Sequence, residues 1–178
     1  MAGTPDVLMK VGMDRRKDVH FPVLVPNEQG LRRLLWSLED YGPLTDEISV
    51  FTSATESFAR KNLNCTVAES LTKLESVTRT ALDKGLRVRG YLSMVIACPF
   101  EGKTDPRQVR EVAKQLVDMG CYEVSLGDTV GKGRPHEVAE MLEEVKTVVP
   151  VDKLAVSIFS FLIFNVFSLI FLGPCEWK

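Results

Sequence analysis

Hydrophobic and polar positions along the chain switch between two spacings, one suited to strands and one to helices. Phe21-Pro-Val-Leu-Val25 is a short apolar run that stops at the turn signal Pro26-Asn27. Leu31, Leu34, Leu35 and Leu38 then recur at the spacing of one helix face. Ile48-Ser-Val-Phe51, β-branched and aromatic, predicts a second strand. Thr66 with Glu69 three residues on forms a capping box, and it opens a helix whose apolar face is Val67, Leu71, Leu74, Val77 and Ala81. Gly85 stands where a helix C-cap belongs.

A third strand is expected over Arg87–Ile96. Asp105-Pro106 then offers an N-cap and a first-turn proline to a helix buried through Val109, Val112, Ala113, Leu116 and Val117, with Gly120 at its end. Tyr122–Leu126 reads as the fourth strand and runs into Gly127-Asp-Thr-Val-Gly131. A helix with Val138, Met141, Leu142 and Val145 continues to Pro150, and Lys153–Val156 begins a fifth strand.

Strands separated by helices must run parallel, because each crossover returns the chain to the same end of the sheet. Two α/β architectures suit such a string: an open doubly wound sheet, or a (β/α)8 barrel of which this is a part. An eight-stranded barrel takes about 250 residues. The 178-residue chain holds about four and a half units, enough for a whole open sheet or just over half a barrel.

Composition changes this picture at one place. The 22 Lys and Arg nearly balance the 24 Asp and Glu, a net charge of −2 that argues against a nucleic-acid sleeve or a polybasic membrane binder. Yet Leu154 to Leu172 carries no charge at all and holds five of the nine Phe. The expected division is therefore an α/β region over 1–156 and an apolar tail over 157–178. Four cysteines, at 65, 98, 121 and 175, form no CxxC pair and read as free thiols of a reducing compartment.

In both architectures ligands bind at the C-terminal ends of the strands. Those ends read Pro26-Asn27, Thr52–Glu56, Ser93–Gly102 and Gly127–Gly131, small and polar, with carboxylates at Glu56, Glu101 and Asp128. Each loop alone is an ordinary tight turn; together they suggest a polar small-molecule rim. Arg60-Lys61-Asn62, just before the helix opened by Thr66, suits a phosphate-bearing ligand beside a helix N-terminus, and reads equally as a solvated basic turn. The two histidines, His20 and His136, lie away from the strand ends and read as surface residues, which leaves Ser/His or Cys/His catalysis without a base. No Rossmann or P-loop fingerprint is present.

Five stretches carry a resemblance: Phe21-Pro-Val-Leu-Val-Pro-Asn27, Arg60-Lys-Asn-Leu-Asn-Cys65, Arg89-Gly-Tyr-Leu-Ser93, Cys98-Pro-Phe-Glu-Gly-Lys103 and Met119-Gly-Cys-Tyr-Glu-Val-Ser-Leu-Gly-Asp-Thr-Val-Gly131. In this order they resemble the 3-hydroxy-3-methylglutaryl-CoA lyase family, and Cys98–Lys103 sets that family apart from the isopropylmalate and homocitrate synthases. The resemblance implies a partial (β/α)8 barrel covering strands three to seven. It implies cleavage of an acyl-CoA to acetyl-CoA and acetoacetate with Mg²⁺ or Mn²⁺, as in leucine degradation and ketogenesis. A related metal-dependent acyl-CoA aldol enzyme is the neighbouring alternative. By resemblance, Ser125 and Asp128 line the acyl pocket with Ser93 and Thr129, Arg89 and Tyr91 support its floor and wall, and Arg60, Lys61 and Asn62 handle CoA.

The same resemblance predicts what is missing. Ser157 and Phe159 occupy the positions of a His-x-His pair of metal ligands directly after Leu154-Ala-Val156. No metal ligand is therefore expected from this chain, Mg²⁺ or Mn²⁺ is expected not to bind, and no catalytic residue is expected to be retained. Cys175 does not match the family's catalytic cysteine, and an extra stretch around Tyr41–Thr45 is expected to form a longer surface loop. The rival readings are a non-catalytic CoA-binding fragment and a tail-anchored membrane protein. The tail is just long enough to span a bilayer, but it would pull the fifth strand straight into the membrane. Family resemblance suggests a homodimer in the mitochondrial matrix or peroxisome, although Met1–Asp18 shows no targeting peptide.

Overall fold

The computed structural model describes residues 19–158 together with Val7 and Lys10. Its elements follow in chain order: β1 (Val23–Leu24), α1 (Glu28–Tyr41), β2 (Glu47–Ser53), α2 (Glu56–Leu63), α3 (Val67–Asp83) and β3 (Arg87–Ser93). A short hairpin, β4 (Ala97–Cys98) and β5 (Gly102–Lys103), precedes α4 (Pro106–Asp118). Then come β6 (Glu123–Asp128), α5 (Pro135–Val145), a 3-10 turn at Val151–Lys153 and β7 (Leu154–Ile158).

β1, β2, β3, β6 and β7 form one parallel sheet in that order. The order never reverses, so right-handed crossovers leave every helix on the same face. A doubly wound sheet has a reversal and helices on both faces. The sheet is thus an arc of a barrel, and the open-sheet alternative falls.

Register separates the two faces of each strand. Ile48 and Val50 on β2, Val88 and Leu92 on β3, and Val124 and Leu126 on β6 are buried toward the helices. They join one apolar cluster with Leu71, Leu74 and Val77 of α3, Leu116 of α4, and Met141 and Val145 of α5. The helix starts are set locally. Thr66 Oγ1 accepts the Glu69 N–H at 3.1 Å while Glu69 accepts the Thr66 N–H at 2.7 Å, which completes the capping box. Asp105 caps α4 through the Arg107 N–H, with Pro106 in the first turn. Gly120 ends α4 at φ 111°, where an added Cβ would also lie 2.5 Å from Leu82 Cδ1.

Four expectations need correction. The third strand stops at Ser93 rather than Ile96, because Met94 adopts φ 62° and turns the chain into the hairpin. Arg60, Lys61 and Asn62 lie inside α2 rather than in a turn before a helix N-terminus; eight residues with little apolar periodicity hid that helix. The Tyr41–Thr45 stretch is only partly at the surface: Tyr41 and Pro43 are exposed, but Leu44 and Thr45 are buried. Thr45 Oγ1 donates to the Phe21 carbonyl at 2.8 Å and accepts the Glu47 amide at 3.1 Å. Finally, β7 runs on through Ser157 and Ile158, across the expected boundary at 156.

His20 is exposed and bonded to Asp46 at 2.9 Å, and His136 is exposed in the first turn of α5. The Met13–Asp18 charge run, Phe159, Cys175 and the rest of the apolar tail lie outside the described residues. Among the described residues no helix is long and apolar enough to cross a membrane.

Candidate functional site

The face of the sheet opposite the helices is polar and falls into layers by strand register. Nearest the N-terminal ends, Glu47 of β2 pairs with Arg87 of β3. Next come Ser49, Arg89 and Glu123, then Phe51, Tyr91, Ser125 and Ala155. The last layer, at the C-terminal ends, is Ser53, Ser93, Gly127 and Ser157. Side chains therefore shrink toward the C-terminal end. The register thus sets three hydroxyls and a glycine above the layer of Phe51 and Tyr91.

The lower layers are tightly engaged. Glu47 is 2% exposed, accepts the Tyr122 hydroxyl at 2.8 Å and lies 3.7 Å from an Arg87 nitrogen. Burial and this hydrogen bond push the Tyr122 phenol up to about 12. Arg89 forms an ion pair with Glu123 across β3 and β6, and its guanidinium lies 5.4 Å from the Tyr91 ring centroid. Arg89 Nε is buried without an acceptor among the described residues.

Of the residues expected at the pocket, Arg89, Tyr91, Ser93 and Ser125 come together on this face. Asp128 does not. It shares the parity of Val124 and Leu126, which face the helices, and it is 2% exposed. Its carboxylate accepts the amides of Lys132 at 3.2 Å and Gly133 at 2.7 Å, so it braces its own loop. Thr129 Oγ1 accepts the Met94 amide at 3.0 Å, while Thr104 Oγ1 donates to the Met94 carbonyl at 2.8 Å. Both peptide groups flanking the left-handed residue are thereby held.

The other two rim carboxylates are likewise engaged by backbone. Glu56 accepts the Val67 amide with both oxygens at 3.3 Å, and Glu101 accepts the Ser57 amide at 2.5 Å. In the last turn of α2, Arg60 lies 4.0 Å from Glu56, Lys61 sits with its ammonium 3.8 Å over the Phe100 ring, and Asn62 donates to the Phe58 carbonyl at 3.1 Å. Cys65, Cys98 and Cys121 are buried free thiols, and burial pushes Cys121 up to about 12.

A resident divalent cation does not fit this donor set. Among the described residues no three His, Cys, Asp or Glu converge, and the rim carboxylates already accept backbone amides. The end of β7 offers only the Ser157 hydroxyl to the ring. Phe51 falls outside the expected rim, and Ser53 and Gly127 are expected there only as parts of loops; counting every second residue back from each strand's end finds all three.

The HMGL-like family model matches residues 43–160. The chain belongs to the HMGL-like family. It is 48% identical over 145 residues to the cytoplasmic 3-hydroxy-3-methylglutaryl-CoA lyase of Danio rerio, covering 82% of this chain and 42% of that protein. It is 42% identical over 156 residues to the mitochondrial hydroxymethylglutaryl-CoA lyase of Bos taurus, covering 88% and 46%. The crystal structure of the HMG-CoA lyase from Brucella melitensis superposes with TM-score 0.81 at 42% identity over 89% of this chain and 53% of that one. This HMGL-like chain thus spans less than half the length of the two curated relatives, and its arc corresponds to part of such a barrel.

Proposed function

We propose that this chain carries the acyl-CoA-holding part of a 3-hydroxy-3-methylglutaryl-CoA lyase, a carbon–carbon lyase releasing acetyl-CoA and acetoacetate. The observation that carries it is the family match over 43–160 together with relatives of that name above 40% identity. The layered face supports it. Ser93 and Ser125 offer hydroxyls to an acyl group above the Phe51–Tyr91 floor, and the Arg89–Glu123 pair stiffens that floor from below. Arg60, Lys61 and Asn62 at the end of α2 supply the cationic end of a CoA site.

Members of this family depend on a divalent metal, and the donors described here do not make such a centre. The described residues therefore orient and hold substrate, while the chain's own bond cleavage with Mg²⁺ or Mn²⁺ stays at background. A coupled acetoacetate assay on the full chain checks this. Turnover that depends on added Mn²⁺ would overturn the non-cleaving part of the proposal. CoA binding unaffected by Lys61→Ala would overturn the placement of CoA. Relatives carry both mitochondrial and cytoplasmic names, and we place this chain with the mitochondrial forms. Fractionation of cells expressing it tests that assignment.

A further inference from the structure

The geometry points to the β4–β5 hairpin as a platform that positions the Lys61 ammonium for a phosphate-bearing ligand, with Phe100 and Glu101 as its positioning residues. The inference rests on the CoA reading above and explains how that cation is held. Ser57 and Lys61 are four residues apart, one above the other on the same face of α2. Two adjacent residues at the hairpin tip meet that face. Glu101 accepts the Ser57 amide in the first turn at 2.5 Å, and the Phe100 ring lies 3.8 Å beneath the Lys61 ammonium in the last turn. The hairpin grips the helix at both ends.

Its own footing is equally defined. Lys103 bonds Glu140 of α5 at 3.1 Å, and Thr104, just beyond β5, donates to the carbonyl of Met94 at 2.8 Å. Phe100 is 48% exposed, so burial of its own surface does not account for its placement. A lysine on a flexible stem normally loses rotamer freedom when it meets an anion. Resting the ammonium on a ring face holds the stem before the ligand arrives and leaves its remaining N–H donors for an anion.

The test uses the full chain, isotope-labelled, with CoA and pantetheine as probes; pantetheine lacks every phosphate. Lys61→Ala is expected to weaken CoA and leave pantetheine unchanged. Phe100→Leu keeps an apolar side chain without the ring and is expected to lower CoA affinity about threefold, the size of an exposed cation–π contact, while Phe100→Tyr restores it. Before any ligand is added, the Lys61 Hε protons are expected to be shifted upfield by the ring in the unaltered chain and not in Phe100→Leu. If Lys61→Ala weakens CoA while Phe100→Leu binds it as the unaltered chain does, the platform is wrong and the CoA reading stands. If CoA binds no differently from pantetheine in the unaltered chain, the CoA reading falls. Unshifted Lys61 Hε signals would remove the platform whatever CoA does.

Discussion

The two ends of the sheet solve opposite problems with the same residue types. At the N-terminal end, Glu47 is buried and closed off by Tyr122 and Arg87, so carboxylate, phenol and guanidinium satisfy one another. At the C-terminal end, the carboxylates Glu56, Glu101 and Asp128 accept backbone amides, and the inward layer is reduced to Ser53, Ser93, Gly127 and Ser157. The lower end fills space with charges set in opposite-sign pairs, Glu47 with Arg87 and Arg89 with Glu123; the upper end clears space. In barrels of this kind the lower face serves stability and the upper face chemistry, and here the division can be tested residue by residue.

The largest expected effect is at the lower end. Glu47→Ala removes the charged acceptor of the Tyr122 hydroxyl and the partner of the half-exposed Arg87, and losing a buried hydrogen bond to a charged group costs up to about 3 kcal/mol. Urea unfolding at neutral pH reads it. A loss no greater than that of a surface substitution would erase the distinction between the ends. Asp128→Ala should come next, at about 1–3 kcal/mol, because the amides of Lys132 and Gly133 lose their acceptor. If Asp128 instead served a ligand, the change would leave the melting temperature alone and alter CoA affinity.

Asp128 also shows how far the sequence could be read. Element type was legible wherever a cap or a period announced it: the Thr66–Glu69 box and Asp105-Pro106 both start helices where expected. What the residues alone left open was direction. Asp128 sits between the glycines of a tight turn, and only the parity of β6 shows that its side chain leaves the sheet on the helix side. Helix α2 carries no such signal, because Ala59 is its one buried residue and no apolar stripe marks it. The hairpin carries none either, because its strands have two residues each, too short for any alternation to appear. Both belong to the rim, where local order depends on contacts distant in sequence, such as Glu101 with Ser57.

A subtler lower-end test uses pH. The Tyr122 phenol titrates near 12 in the folded chain against an ordinary 10.0, so its neutral form is the one the fold favours. That contribution is complete below pH 10.0 and disappears as pH rises toward about 12. Tyr122→Phe should remove this alkaline limb and cost about 1–3 kcal/mol at neutral pH, since Glu47 loses a donor. The acid limb belongs to a different residue. Accepting the Thr66 amide holds the Glu69 carboxyl below its ordinary 4.5. Its contribution is present above that value and fades as pH falls through the folded one; Glu69→Gln should flatten this part of the pH–stability curve.

The smallest stability change is expected at the upper end, and it is the sharpest test of the comparison. Ser93 stands in the hydroxyl ring between Ser53 and Gly127, half-buried above the Tyr91 layer. Ser93→Ala deletes one oxygen without opening a cavity in the apolar cluster, so stability should move by no more than about 0.5 kcal/mol. If the ring exists to meet a ligand, acyl-CoA affinity should fall by about five- to tenfold, the worth of one hydrogen bond in an enclosed site. Paired melting and binding measurements on the same preparation separate the outcomes. A destabilised Ser93→Ala with unchanged affinity would make the upper layer as structural as the lower one, and the Phe51–Tyr91 floor would then close a core rather than underlie a pocket.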